Sequence, residues 1–195
     1  MKNIILILVL ALVLIISGRF MTNKDSEDSQ NPKVSFKTNM GEITLEIYKD
    51  KMPITADNFL KLVGDGFYNG TKFHRVVSGF MIQGGDPNSK SDDVASYGTG
   101  GPGYTIKDEF SAGLSNVPGT IAMANAGPNT GGSQFFINVG ANTFLDSKHP
   151  VFGRVVSGME IVNAITAVEV TKNGGAENSL PVTPIIIEEG SVLVN

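Results

Sequence analysis

From Met40 to Tyr48 the chain reads M-G-E-I-T-L-E-I-Y, and Ile43, Leu45 and Ile47 alternate with Thr44, Glu46 and Tyr48. A period of two places one set on the buried face of a strand and the other on its opposite face. The preceding run, Val34–Thr38, is set to pair with it through a turn at Asn39–Gly41. Short apolar runs recur at Lys72–Val77, Met81–Gln83, Thr120–Asn125, Gln134–Val139, Val151–Val155 and Pro184–Glu188. Glycine, at 23 of 195 residues, punctuates them. Helical spacing appears only twice. Ala56, Phe59, Leu60 and Val63 follow Thr55, a candidate N-cap, in Pro53–Asp65; Ile161, Val162, Ile165 and Val168 form a stripe in Gly158–Val168. Many short strands and two helices predict a mainly β domain, a closed or nearly closed barrel.

The length suits one domain with a real core. A net charge of −4 without a basic block argues against a nucleic-acid partner. The chain has no Cys, which excludes disulfides, thiolate catalysis and Cys-type zinc sites and leaves the redox compartment open. The two histidines are His74 and His149. At the start, Lys2 precedes the uninterrupted apolar run Ile4–Ile16. A basic start and an apolar stretch of this length predict an export signal within residues 1–21, either cleaved or kept as a membrane anchor. A polar linker over residues 22–33 follows, and the folded body is expected over 34–195, outside the cytoplasm and touching the membrane only through that N-terminal segment.

Several motifs match in letters and fail in context. Gly98–Gly103, G-T-G-G-P-G, has the dinucleotide-loop spacing, but a polar loop precedes it and Pro102 interrupts it. Gly127–Ser133, G-P-N-T-G-G-S, resembles a phosphate loop without its lysine. Asp92 and Asp93 are adjacent, so on an extended chain they point apart, and no further ligand pattern follows. Asn69-Gly70-Thr71 is a formal glycosylation sequon. Asp146 and His149 evoke a Ser/His/Asp hydrolase, but no G-x-S-x-G elbow is present. The polar stretch Asn88–Tyr97 and the segment Lys172–Ser179 read as surface loops.

Three segments carry more information. Phe73–Pro87 reads F-H-R-V-V-S-G-F-M-I-Q-G-G-D-P; as a strand its opening would set Phe73, Arg75 and Val77 on one face and His74 and Val76 on the other. Met123–Ile137 reads M-A-N-A-G-P-N-T-G-G-S-Q-F-F-I, and Phe144–Val155 reads F-L-D-S-K-H-P-V-F-G-R-V. Each joins apolar side chains to polar groups that do not read as plain core: Arg75 and Gln83, Asn125 and Gln134, and His149. In order and spacing these segments resemble the cyclophilin family of peptidyl-prolyl cis-trans isomerases, from about Val34 to about Val192.

The resemblance implies an eight-stranded antiparallel closed β-barrel capped by two α-helices, with the active site on its outer surface. It implies that Arg75 is catalytic and that Phe80, Met81, Phe136 and Leu145 form a pocket for the proline ring. It implies that Gln83, Ala124, Asn125, Gln134 and His149 line the groove and bind the peptide backbone. Phe144 stands where members often carry Trp; it keeps an apolar wall and loses an indole N–H, so cyclosporin binding is expected to be weak. The implied partners are proline-containing polypeptides, for whose folding outside the cytoplasm a monomer would serve, with no cofactor and no metal.

The residue types suit that chemistry. Rotation about an X–Pro bond faces a barrier of roughly 20 kcal/mol from amide resonance, and no covalent bond changes. A fixed donor that favours the twisted amide over both planar forms lowers that barrier. Arginine keeps its charge at all working pH values and presents its donors in a rigid fork. A non-catalytic proline-peptide binding module on the same fold is the rival reading, and Arg75 argues against it.

Overall fold

A computed structural model describes residues 31–172 and 177–193. The N-terminal segment 1–21 and the linker as far as residue 30 lie outside the described residues. The alternating segments form the expected hairpin. β1 (Lys33–Thr38) pairs antiparallel with β2 (Gly41–Ile47), Val34 opposite Leu45 and Phe36 opposite Ile43. All four side chains are fully buried. The turn between the strands is tied by Thr38 Oγ1, which donates to the Gly41 carbonyl at 2.6 Å and accepts from Met40 N at 3.1 Å.

Six further strands complete an eight-stranded sheet. They are β3 (Arg75–Val77), β4 (Met81–Gly84), β5 (Thr120–Met123), β6 (Phe135–Asn138), β7 (Val151–Ser157) and β10 (Ile187–Leu193). The spatial order is β10-β1-β2-β7-β5-β6-β4-β3, and every neighbouring pair is antiparallel. The sheet curls until its edges meet. Phe73 N donates to Ile185 O at 2.9 Å and Ile187 N to Thr71 O at 2.8 Å, around a bridge between Lys72 and Ile186. Among the described residues the architecture is thus the expected eight-stranded barrel with two helices.

Helix α1 (Pro53–Gly64) buries Ala56, Phe59, Leu62 and Val63, and α2 (Met159–Thr166) buries Val162 and Ile165. Thr55 is not the N-cap of α1, contrary to the sequence expectation. Proline is favoured at the first helical position, where its missing N–H costs nothing, so the helix begins at Pro53. The Thr55 N–H instead donates to Glu109 Oε2 at 2.8 Å, a carboxylate brought from a distant loop. At the start of α2, Gly158 takes a φ of 84°, and a β-carbon there would collide with the Glu42 carbonyl. Only glycine meets both demands.

Two other expectations need correction, and a third, the surface loop Asn88–Tyr97, holds with added detail. Lys172–Ser179 is not simply a loop, because β8 (Val170–Lys172) and β9 (Asn178–Pro181) pair as a separate two-stranded ribbon. Asn88–Tyr97 contains two short 3-10 turns, Pro87–Lys90 and Val94–Ser96, and buries Ser89 and Tyr97. The fully buried Asp86 carboxylate organises that stretch by accepting from Asn88 N and Gly98 N. Phe73 does not share the face of Arg75: it is fully buried in the barrel interior with Val76. Regular strand pairing starts only at Arg75, so the period-two alternation does not reach back to Phe73.

The interior is aromatic. Phe135 stands at its centre, with ring centroids 5.6 Å from Phe36, Phe59 and Tyr68 and 6.1 Å from Phe73. Removing that ring leaves a void lined by four others. Phe135→Ala is expected to cost about 3–5 kcal/mol in urea unfolding; a loss under about 1 kcal/mol would show that the cluster does not centre on this ring.

Candidate active site

The sheet carries a second apolar cluster on its outer face. Met81, Ala122, Phe136 and Val151 are buried there, with Val77, Phe80, Ala124 and Leu145 packed against them. Strand alternation explains this cluster. On β4, β5 and β6 the neighbours Ile82, Ile121, Met123, Phe135 and Ile137 point inward, so Met81, Ala122 and Phe136 point outward. These strands are apolar on both faces, and the outer face needs its own cover.

Register then fixes a row. Arg75 lies opposite Gln83, Gln83 opposite Phe136, Phe136 opposite Ala122, and Ala122 opposite Val151. Five strands thus present one line of side chains that is polar at the β3 end and apolar beyond it. Along this line lies a depression of about 170 Å³ lined by Arg75, Phe80, Met81, Gln83, Ala124, Asn125, Phe136, Leu145 and His149. These are the residues singled out from the sequence, apart from Gln134 and Phe144. Gln134 lines an adjoining depression of about 290 Å³ bounded by the Gly98–Pro102 loop. Phe144 is 66% exposed at the rim and stacks on Phe80, centroids 6.1 Å apart and planes 14° from parallel.

A hydrogen-bonded chain orders the polar end. Arg75 Nη1 donates to Gln83 Oε1 at 3.5 Å, Gln83 Nε2 to Gln134 Oε1 at 3.0 Å, and Gln134 Nε2 to the Gly100 carbonyl at 2.8 Å. The carbonyl at its far end can only accept, so both amide orientations are set. Arg75 also lies 5.8 Å from the Phe80 ring centroid. Its Nε donates to Glu177 Oε2 at 2.9 Å and its Nη2 to Glu177 Oε1 at 3.3 Å. His149 packs edge-on against Phe136, and its Nδ1 lies 3.1 Å from the Met123 carbonyl, so Nδ1 carries the hydrogen. The Asn125 side chain ties its loop to the segment that carries His149, donating to Lys148 O at 2.7 Å, and accepts from Gly127 N of its own loop at 3.3 Å.

The segment that brings Leu145 and His149 to the site is held by a polar network that the sequence reading missed. Asn116, Asn138 and Asn142 are buried. Asn138 Nδ2 donates to Asn116 Oδ1 at 3.0 Å, and Asn142 Nδ2 donates to Asn138 Oδ1 and to the Phe80 carbonyl, both at 2.8 Å. Asn116 donates from its main chain to Asp146 at 2.7 Å and from its side chain to the His149 carbonyl at 3.1 Å; Ser115 Oγ donates to Asp146 at 2.6 Å. Asp146 therefore serves this scaffold, while the His149 ring addresses Met123, which is not the arrangement of a Ser/His/Asp relay. The one signal available in the sequence was Asn138, a polar residue ending the apolar run F-F-I-N. No sequence signal marked Glu177.

Comparison with known proteins follows this geometry. Residues 33–192 match the family model described as cyclophilin type peptidyl-prolyl cis-trans isomerase/CLD. The chain is 46% identical over 141 residues to peptidyl-prolyl cis-trans isomerase-like 1 of Homo sapiens, covering 72% of this chain and 82% of that protein. It is 44% identical over 163 residues to a peptidyl-prolyl cis-trans isomerase of Acinetobacter baylyi, covering 80% and 83%. The crystal structure of a Cryptosporidium parvum cyclophilin type isomerase in the presence of the dipeptide Ala-Pro superposes with a TM-score of 0.73 at 32% identity, covering 84% of this chain and 99% of that one.

Partial burial pushes the Asp146 carboxyl up, but the hydrogen bonds from Asn116 N, Ser115 Oγ and Asn116 Nδ2 outweigh it and hold the group below the usual Asp range. A carboxyl depressed in the folded state contributes stability that is fully present above its unfolded pKa. That contribution is lost as pH falls through the lower folded value. Asp146→Asn is expected to lower the urea midpoint at pH 7, with the gap to wild type narrowing as pH falls towards 3. A gap that stays constant with pH would remove Asp146 from the acid limb.

Proposed function

The chain belongs to the cyclophilin-type peptidyl-prolyl cis-trans isomerase family and is an isomerase of X–Pro bonds, and we propose that Arg75 carries the chemistry. The observation behind this is the register that sets Arg75 beside Gln83 at the polar end of an otherwise apolar depression. Phe136, Met81, Leu145 and Phe80 offer the proline ring an apolar floor and wall. The guanidinium has five N–H donors, and three are taken by Glu177 and Gln83. Two remain for a substrate.

At the twisted amide the proline nitrogen regains its lone pair and resonance with the carbonyl is broken. A cationic donor fixed near that group stabilises the twisted form more than the planar cis or trans form. One charged hydrogen bond contributes roughly 1.5–3 kcal/mol, so it cannot account for a large acceleration alone. Exclusion of water by the apolar cluster and anchoring of the flanking peptide supply the rest. Ala124, Asn125, Gln134 and His149 are the groups proposed to hold the peptide. The side-chain amide of Asn125 is already committed to Lys148 and Gly127, so its main chain is what it offers. Phe144 extends the apolar wall without a donor, which supports weak cyclosporin binding.

The clients are proposed to be proline-containing proteins folding outside the cytoplasm. The support is the sequence of residues 1–21, a basic start followed by an unbroken apolar run. Among the described residues no helix is long and apolar enough to cross a membrane.

Arg75→Ala is expected to lower kcat/KM in a protease-coupled assay by about 10- to 100-fold, with the thermal midpoint little changed. Full activity would remove Arg75 from the mechanism. Mass spectrometry of the mature N-terminus, with cell fractionation, is expected to find the body outside the cytoplasm, either cleaved near residue 21 or membrane-bound. An intact chain in the soluble cytoplasm would overturn the export proposal.

A further inference from the structure

Glu177 immediately precedes β9, which belongs to a ribbon separate from the barrel sheet, yet its carboxylate meets the arginine of the site. The contact is two-pronged: Nε to Oε2 at 2.9 Å and Nη2 to Oε1 at 3.3 Å. Parallel bonds of this kind fix the plane of a guanidinium as well as its position. The other restraints on Arg75 are weaker. The bond to Gln83 is long, at 3.5 Å, and Phe80 lies 5.8 Å away without a hydrogen bond. Left to these, a side chain with arginine's rotamer freedom would sample several poses, and ordering it on demand would cost entropy in each turnover.

We infer that Glu177 is a positioning residue for the isomerase reaction, holding Nε and Nη2 of Arg75 so that the free N–H on each of Nη1 and Nη2 is presented to substrate. This rests on Arg75 acting as proposed above. The carboxylate and Gln83 grip the guanidinium from two sides, and the remaining donors are aimed before substrate arrives. A donor aligned in advance needs no reorganisation at the twisted amide. The hydrogen bonds from Arg75 hold the Glu177 carboxyl below the usual range. Partial burial opposes this, while the positive charge and a hydrogen bond with Ser179 add to it, so the carboxylate stays ionised at neutral pH. Arg75 is 36% exposed and Glu177 48%, so solvent screens the pair and its value lies in geometry more than in net stability.

The test is a double-mutant cycle in the full chain, with turnover on a proline peptide measured by exchange NMR. Glu177→Ala is expected to lower kcat roughly 3- to 10-fold, with KM changed by less than about twofold. Glu177→Gln, which keeps one acceptor, should fall between. The Arg75 Nε–H resonance, sharp in the wild type, should broaden in Glu177→Ala, and the thermal midpoint should not move. In an Arg75→Ala background the Glu177→Ala change should have no further effect, which a purely structural role would not produce. Unchanged or raised turnover in Glu177→Ala would overturn the inference, as would the same fold-loss in both backgrounds. If Arg75→Ala is impaired and the two changes multiply, the positioning role alone fails. If Arg75→Ala is fully active, the arginine assignment fails and takes this inference with it.

Discussion

Antiparallel register across β3, β4, β6, β5 and β7 is the constraint on which the rest of the site depends. It places Arg75, Gln83, Phe136, Ala122 and Val151 in one line. Slipping any one of these strands by a residue would turn its outward side chains into the barrel and its inward ones to solvent. The slip is opposed from inside, because Ile82, Ile121, Phe135 and Ile137 would then leave a core that buries them fully. Interior packing thus fixes the outer line without touching it.

The outer cluster would be an ordinary exposed patch without the segment from Asn142 to His149. That segment is irregular: Leu145 ends a 3-10 turn, Thr143–Leu145, and His149 follows four residues later. Backbone of this kind holds its shape only where its polar groups are answered, and the three buried asparagines do so. Asn142 binds the Phe80 carbonyl, and Asn116 binds the His149 carbonyl. The two sides of the groove, 62 residues apart in sequence between Phe80 and Asn142, are therefore spaced by one network of amides.

Much of this was legible in the sequence where the physics is local. Alternation located the β1–β2 hairpin and helical spacing located α1 and α2, while the outer groove was implied only by the resemblance of three segments to the cyclophilin family. What escaped depends on groups that meet only after folding. Thr55 looked like a cap although Pro53, two residues earlier, was a local signal for the helix start; only the answer of Glu109 to the Thr55 N–H lay out of reach. Phe73 looked like a neighbour of Arg75 because the period-two pattern does not show where ladder pairing begins. β8 and β9 are too short and too polar to announce themselves, and Glu177 sits where the sequence reads as a loop. A carboxylate that finds its arginine from 102 residues away leaves no local trace.

The position of β3 has a further consequence. It ends the sheet order and is three residues long; the bridge between Lys72 and Ile186 closes the sheet just before it, but among the described ladders β3 itself pairs with β4 alone. A bare strand edge is a template on which another chain can add, and proteins guard such edges with short strands and charge. The depression lies beside that edge, because Arg75 belongs to both. Arg75 and its carboxylate partner place a desolvation cost at the point where another strand would begin to pair. The ion pair at the polar end of the depression is thus also placed to guard the end of the sheet.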